Sequence, residues 1–114
     1  MYKIMIVEDD LVIADSISGH LQRWGYETKC VEDFMNVMDL YNSFAPDLIL
    51  MDINLPYYNG FHWCSEIRRV STTPIIFVSS IADNMNIVMA MNMGGDEYIE
   101  KPFDINVLTA KVQA

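Results

Sequence analysis

Five times along this chain, a short apolar run rich in β-branched residues is followed by a longer stretch with one apolar face. The runs are Lys3–Val7, Tyr26–Val31, Asp47–Met51, Pro74–Val78 and the weaker Glu97–Ile99. Runs with so little polar alternation suit strands of a parallel sheet covered on both faces. The stretches between them carry helical spacing. Ile13, Ile17, Leu21 and Trp24 form one stripe, with Gly25 as its stop. Phe34, Val37, Met38 and Tyr41 repeat the pattern before Ala45-Pro46 ends that helix. Asn59-Gly60 precedes a third helix with Phe61, Cys64 and Ile67 on one face, and a fourth runs from about Asp83 to Met93 and stops at Gly94-Gly95. A fifth begins at Asp104 and turns Ile105, Leu108 and Val112 inward. Five β/α units in succession predict an α/β fold with a doubly wound five-stranded parallel sheet, because right-handed crossovers alternate the helices between its faces.

At 114 residues the chain makes one domain, 1–114, large enough to bury a core without disulfides or a structural metal. Its fifth helix has no stop signal before Ala114, the pattern of a chain cut before its natural end or of a short disordered tail. Seven Lys and Arg stand against 16 Asp and Glu, a net charge of −9 with a pI near 4.3. Such a surface does not grip a phosphate backbone by counterion release, and anionic membranes repel it, so neither nucleic acid nor membrane is expected as a direct partner. Divalent cations and basic protein surfaces are favoured instead. No apolar run approaches a bilayer span, and the one after Lys3 is too short for a signal-peptide core. Cys30 and Cys64 lack metal-ligand spacing and read as reduced core thiols of a cytoplasmic protein. The nine Met fall mostly at core spacing, as gap fillers.

In open α/β sheets, ligands bind beyond the carboxyl ends of the strands. Glu8-Asp9-Asp10 follows the first run, Asp52 then Ile53-Asn54-Leu55-Pro56 the third, Ser79-Ser80 the fourth, and Lys101-Pro102 the fifth. Each alone has a plain structural reading: a helix cap, as expected of Asp10, a turn Asp, a hydroxyl cap, a surface lysine. Together they fall on one rim of one sheet. Clustered carboxylates repel unless a hard cation or a proton compensates them, and a lysine opposite them pairs with one or holds an anion. No glycine-rich phosphate loop follows the first strand, which argues against a nucleotide or flavin site.

Carried together, these motifs resemble the receiver domain of bacterial two-component response regulators from Lys3 to the last helix. The resemblance rests on Val7-Glu8-Asp9-Asp10, on Leu48-Ile49-Leu50-Met51-Asp52-Ile53-Asn54-Leu55-Pro56 with Asn59-Gly60, and on Ile76-Phe77-Val78-Ser79. Gly94-Gly95-Asp96-Glu97-Tyr98 and Lys101-Pro102-Phe103 complete it. The last two are similar to the subfamily whose receivers precede a winged-helix DNA-binding domain, an output domain absent from this chain. Leu55-Pro56-Tyr57-Tyr58-Asn59-Gly60-Phe61 and residues 84–91 look like regulators of peptide-antibiotic and cell-envelope responses.

The resemblance implies a flavodoxin-like (βα)5 sandwich with strand order 2-1-3-4-5. It implies that Asp52 accepts a phosphoryl group from a sensor histidine kinase, with Mg²⁺ held by Glu8, Asp9, Asp52 and the main-chain carbonyl of Asn54. Lys101 and Ser79 would contact the phosphoryl oxygens, and Ser79 with Tyr98 would form the switch. The Lys101-Pro102 bond is expected to be cis. The helix 4–strand 5–helix 5 face, roughly Asp83 to Lys111, would then change and dimerise, controlling transcription through the output domain. Reversing a 99:1 ratio of inactive to active takes about 5.5 kcal/mol of differential contact. Such a domain is not an enzyme beyond assisting its own phosphorylation and slow dephosphorylation.

Two departures from the family are visible. Ile81 stands two past Ser79, where relatives often carry a polar side chain near the attacking water, so slow phosphate loss is expected. No Lys or Arg lies between Asp83 and Met93, where dimerising relatives usually have one, leaving Lys111 with Asp96 or Glu97 as a candidate cross-subunit pair. Two alternatives are an aspartyl-nucleophile phosphohydrolase and an unphosphorylated interaction module. The first needs an acid where Asn54 stands; the complete residue set argues against the second. Trp24 and Trp63 read as packing residues, and His20 and His62 as exposed or partly packed.

Overall fold

In the computed structural model, which describes residues 1–80 and 84–114 (for 84–86 the backbone alone), the apolar runs become strands β1 (Lys3–Val7), β2 (Glu27–Cys30), β3 (Leu48–Met51), β4 (Ile75–Ser79) and β5 (Glu97–Glu100). They pair in parallel in the order β2-β1-β3-β4-β5. Between them run α1 (Leu11–Arg23), α2 (Val37–Phe44), α3 (Gly60–Arg68) and α4 (Asn84–Asn92), and α5 (Ile105–Gln113) follows β5. This is the expected doubly wound, flavodoxin-like sandwich.

Strand periodicity explains why the central runs are apolar throughout. Successive side chains point to opposite faces, so a strand covered on both must be apolar at every position. Met5, Val7, Ile49, Met51, Ile75 and Phe77 face one layer, with Val37 and Phe44 of α2, Phe61, Cys64 and Ile67 of α3 and Ala90 of α4. Ile4, Ile6, Leu48, Leu50, Ile76 and Val78 face the other, with Ala14, Ile17 and Leu21 of α1 and Leu108 and Val112 of α5. Among the described residues no helix is long and apolar enough to cross a membrane.

The expected elements shift in four places. Strand β2 is shorter than Tyr26–Val31 and only half-covered, because it is a sheet edge with a neighbour on one side alone. Trp24 does not join the α1 stripe. The helix ends at Arg23 and the chain turns through Gly25 at φ +91°, leaving Trp24 57% exposed; Ala14 fills the stripe instead. Phe34 lies before α2, in a turn where Asp33 accepts from the Met35 N–H (3.1 Å) and the Asn36 amide (2.9 Å). Cys30, at the edge, is half-buried and not a core residue, whereas Cys64 is buried; both thiols are free. Trp63 packs as expected, and the two histidines are partly covered.

Candidate functional site

Strands β1 and β3 end side by side, since Val7 pairs with Met51 and the Asp52 N–H extends the ladder to the Val7 carbonyl (2.9 Å). The next side chains beyond those ends are therefore Glu8 and Asp52, both buried although ionisable. Asp9 lies exposed above them. The carboxylates of Glu8, Asp9 and Asp52 each offer an oxygen within 4.8 Å of the others. Asp10 leaves the group: it caps α1, its carboxylate accepting from the Val12 N–H (3.0 Å) and the Ile13 N–H (3.2 Å).

Strand β5 delivers the cation. Lys101 follows its end, and its ammonium donates to Glu8 Oε1 and to Asp52 Oδ2 (3.1 Å). Its backbone N–H donates to the Ser79 carbonyl (2.8 Å), which holds the ends of β4 and β5 together. Ser79 itself is fully buried. The Lys101-Pro102 bond is cis. Tyr98, opposite Phe77, packs half-buried against the α2–α4 side of the core. Asn54 is exposed, and its N–H donates to Asp52 Oδ1 (3.3 Å). Beside the rim opens a cleft of about 430 Å³ lined largely by Val12, Ile13, Pro102, Phe103 and Ile105.

A buried acid pair beside a third acid, with one lysine and a hydroxyl, ends four neighbouring strands. The response regulator receiver domain pattern matches residues 4–113. The chain belongs to that family. It is 48% identical over its full length to the transcriptional regulatory protein YvcP of Bacillus subtilis, of which it covers 48%, and 44% identical over 98% of its length to the response regulator protein GraR of Staphylococcus aureus, of which it covers 50%. The chain thus spans about half the length of these relatives. Among solved structures it is similar to the N-terminal domain of the nisin resistance regulator NsrR, a lantibiotic response regulator (TM-score 0.91, 50% identity, 99% of this chain and 96% of that one). The receiver domain of Klebsiella pneumoniae RstA, solved in a BeF3-activated form, superposes with a TM-score of 0.92 at 29% identity over 97% and 95% of the two chains. Receiver domains belong to signalling proteins rather than to enzymes, and they bind Mg²⁺ at an acidic pocket.

In this receiver domain the pocket is electrostatically tense. Burial pushes the Glu8 carboxyl up to about 7, and the neighbouring Asp52 charge acts in the same direction. The Lys101 hydrogen bond and the Asp10 N–H, which reaches Glu8 Oε2 at 3.1 Å, pull the other way. Burial alone would lower Lys101, but its bonds to Glu8 and Asp52 outweigh that and raise it. The donor set fits the family's ion. All three groups are carboxylates, hard oxygen donors with no thiol or imidazole among them, and their mutual repulsion is what a divalent cation relieves.

The predicted Glu8, Asp9, Asp52 and Lys101 are brought together, Ser79 and Tyr98 stand on the adjoining strands, and Ile81 lies outside the described residues. The candidate cross-subunit pair is engaged differently. Lys111 pairs with Glu97 of the same chain (3.3 Å), and Asp96 pairs with Arg68 (3.0 Å). Arg68 has no signal in the sequence that sets it apart from Arg69 beside it.

Proposed function

We propose that this chain is a phosphorylation-driven switch in which Asp52 accepts a phosphoryl group from the phosphohistidine of a sensor kinase. The single observation that carries this is one lysine bonded to two buried carboxylates at the ends of adjacent strands. An Asp52 carboxylate oxygen attacks phosphorus in line. The P–N bond breaks, its electron pair returns to the imidazole, and a P–O bond forms. Little covalent help is needed, because such transfers depend on positioning and charge neutralisation.

Glu8, Asp9, Asp52 and the Asn54 main-chain carbonyl would hold Mg²⁺, which supplies that neutralisation. Lys101 would exchange a carboxylate for a phosphoryl oxygen, and the Ser79 hydroxyl would donate to another. The acyl phosphate brings nearly two negative charges and three acceptor oxygens. These bias the α4–β5–α5 face through Ser79 and Tyr98, and the domain dimerises there. Ile81 would make phosphate loss slow, so Ile81→Arg should shorten the phosphoryl half-life; an unchanged half-life would reject that role.

Residues 1–114 are on this reading the receiver of a cytoplasmic transcription regulator whose output domain lies outside this chain, as the names and lengths of the relatives support. The NsrR likeness favours a peptide-antibiotic or cell-envelope stimulus. Beryllofluoride with Mg²⁺, a phosphoryl mimic, should change the tryptophan fluorescence and shift the chain toward dimer. Unchanged fluorescence and oligomer state would instead favour an unphosphorylated interaction module. Turnover of a phosphate ester would revive the hydrolase reading, which exposed Asn54 does not support because an amide cannot donate the proton.

A further inference from the structure

Gly60, the first residue of α3, is buried with its backbone directly on the segment that carries Asp52. Its N–H donates to the Ile53 carbonyl (2.9 Å). A Cβ at this position would overlap the carbonyl oxygen of Asp52, and would lie 3.0 Å from its carbonyl carbon and 3.1 Å from Cα of Ile53. All three are main-chain atoms, which cannot swing aside as a side chain can. The glycine does not serve the backbone dihedral, since the left-handed glycines are Gly25 and Gly94. Nor does it serve as the helix cap, which is Asn59, accepting from the His62 N–H (3.0 Å). What remains is close approach.

Helix α3 and the end of β3 are both held in place, which leaves the peptide after Asp52 as the part that can move. Phe61, Trp63, Cys64 and Ile67 fix α3 in the core, and Arg68 anchors its far end to the carbonyls of Gly94 (2.7 Å) and Thr73 (2.7 Å). On the other side the Asp52 N–H is bound to Val7, and Met51 is paired with Phe77. A side chain at position 60 would therefore be relieved in the segment that begins at Asp52 and includes Asn54.

We infer that Gly60 is a positioning residue: the first turn of α3 is a rigid stop that holds the Asp52–Ile53 peptide, and with it the Asp52 carboxylate and the Asn54 carbonyl, in register for cation and phosphoryl group. The inference rests on the phosphoacceptor reading above.

The test compares the protein with Gly60→Ala, Gly95→Ala and Asn59→Ala, measuring Mg²⁺ affinity by calorimetry, labelling rate with acetyl phosphate, and the thermal melt. Gly95 is a matched control. A Cβ there would meet the Phe77 ring at 2.7 Å and the Ala90 carbonyl at 2.8 Å, at the end of β5 away from Lys101. Gly60→Ala should bind Mg²⁺ about ten- to a hundredfold more weakly, the range for residues that orient metal ligands, and label correspondingly more slowly. Gly95→Ala should keep the original Mg²⁺ affinity whatever its melt. Original affinity and rate in Gly60→Ala, or an equal loss in Gly95→Ala, would overturn the inference. If Gly60→Ala does not fold, Asn59→Ala decides, because it loosens the same turn without a collision: weakened Mg²⁺ binding supports the stop, and unchanged binding overturns it. A parent protein that neither binds Mg²⁺ nor labels would fail the phosphoacceptor reading itself.

Discussion

Glu8 is the residue on which the site's electrostatics turn. Its carboxyl, pushed up to about 7 chiefly by burial, binds a proton in the folded chain over a range where the unfolded chain has released it. The stabilising contribution of that proton is fully present below about 4.5 and is lost as pH rises through about 7. In Mg²⁺-free buffer, urea midpoints should therefore fall between pH 5 and pH 8, and Glu8→Gln, which has no proton to lose, should fall less. An identical pH dependence in the variant would contradict this. If Glu8 serves as the proposed metal ligand, Mg²⁺ binding runs the other way, since a ligand must be deprotonated. Mg²⁺ affinity should weaken about tenfold per pH unit below about 7, as one proton is displaced per ion; calorimetry at pH 5.5, 6.5 and 7.5 measures it. The acids and the lysine were legible in the sequence because they fall within two residues of the ends of apolar runs, and so on one rim of one parallel sheet. Asp10 was legible as a cap because it is an Asp at the head of the first helical stretch. The closeness of Gly60 to Asp52 was not, because Asn59-Gly60 reads equally well as an ordinary helix start.

At the scale of elements, a local pattern is readable only as far as local rules govern it. Both faces of β3 and β4 are buried, so their runs read through to within one residue at each end. β2 is set by its edge position, which depends on strand order and not on its own residues. Trp24 has the spacing of the α1 stripe, but Gly25 turns the chain before the stripe reaches it. Arg68 shows the limit most sharply. Its guanidinium donates to the Gly94 carbonyl from two nitrogens (3.0 and 2.7 Å), to the Thr73 carbonyl (2.7 Å) and to Asp96 (3.0 Å), and Asp96 also accepts the Ile75 N–H (2.8 Å). One side chain thus ties the end of α3 to the entries of β4 and β5, through partners as many as 28 residues away. Arg68→Ala should cost about 2–3 kcal/mol in urea denaturation, the range for charge-assisted bonds whose acceptors are left part-buried. Arg68→Lys should recover little, since an ammonium lacks the planar fork. A loss below about 0.5 kcal/mol, typical of neutral surface changes, would show that the network is ornamental.

For the whole molecule, the acid excess divides into the acidic cluster of Glu8, Asp9 and Asp52 and a solvated surface, and the surface bears on assembly. No Lys or Arg lies between Asp83 and Met93, while Val88, Met89 and Met91 of α4 and Val107 of α5 are about half exposed. With Lys111 already paired to Glu97 inside the chain, a dimer through this face would draw mainly on apolar contact. The beryllofluoride-bound dimer should hold together from low to high salt, and Val107→Glu should abolish it in light scattering. A dimer that dissolves in salt but tolerates the glutamate would point to ion pairs instead.

The most direct test of the account is the intact mass of the chain after treatment with acetyl phosphate and Mg²⁺. A gain of one phosphoryl group, lost when Mg²⁺ is withheld and absent in Asp52→Asn, is the predicted result. No gain, or a gain that persists in Asp52→Asn, would contradict it.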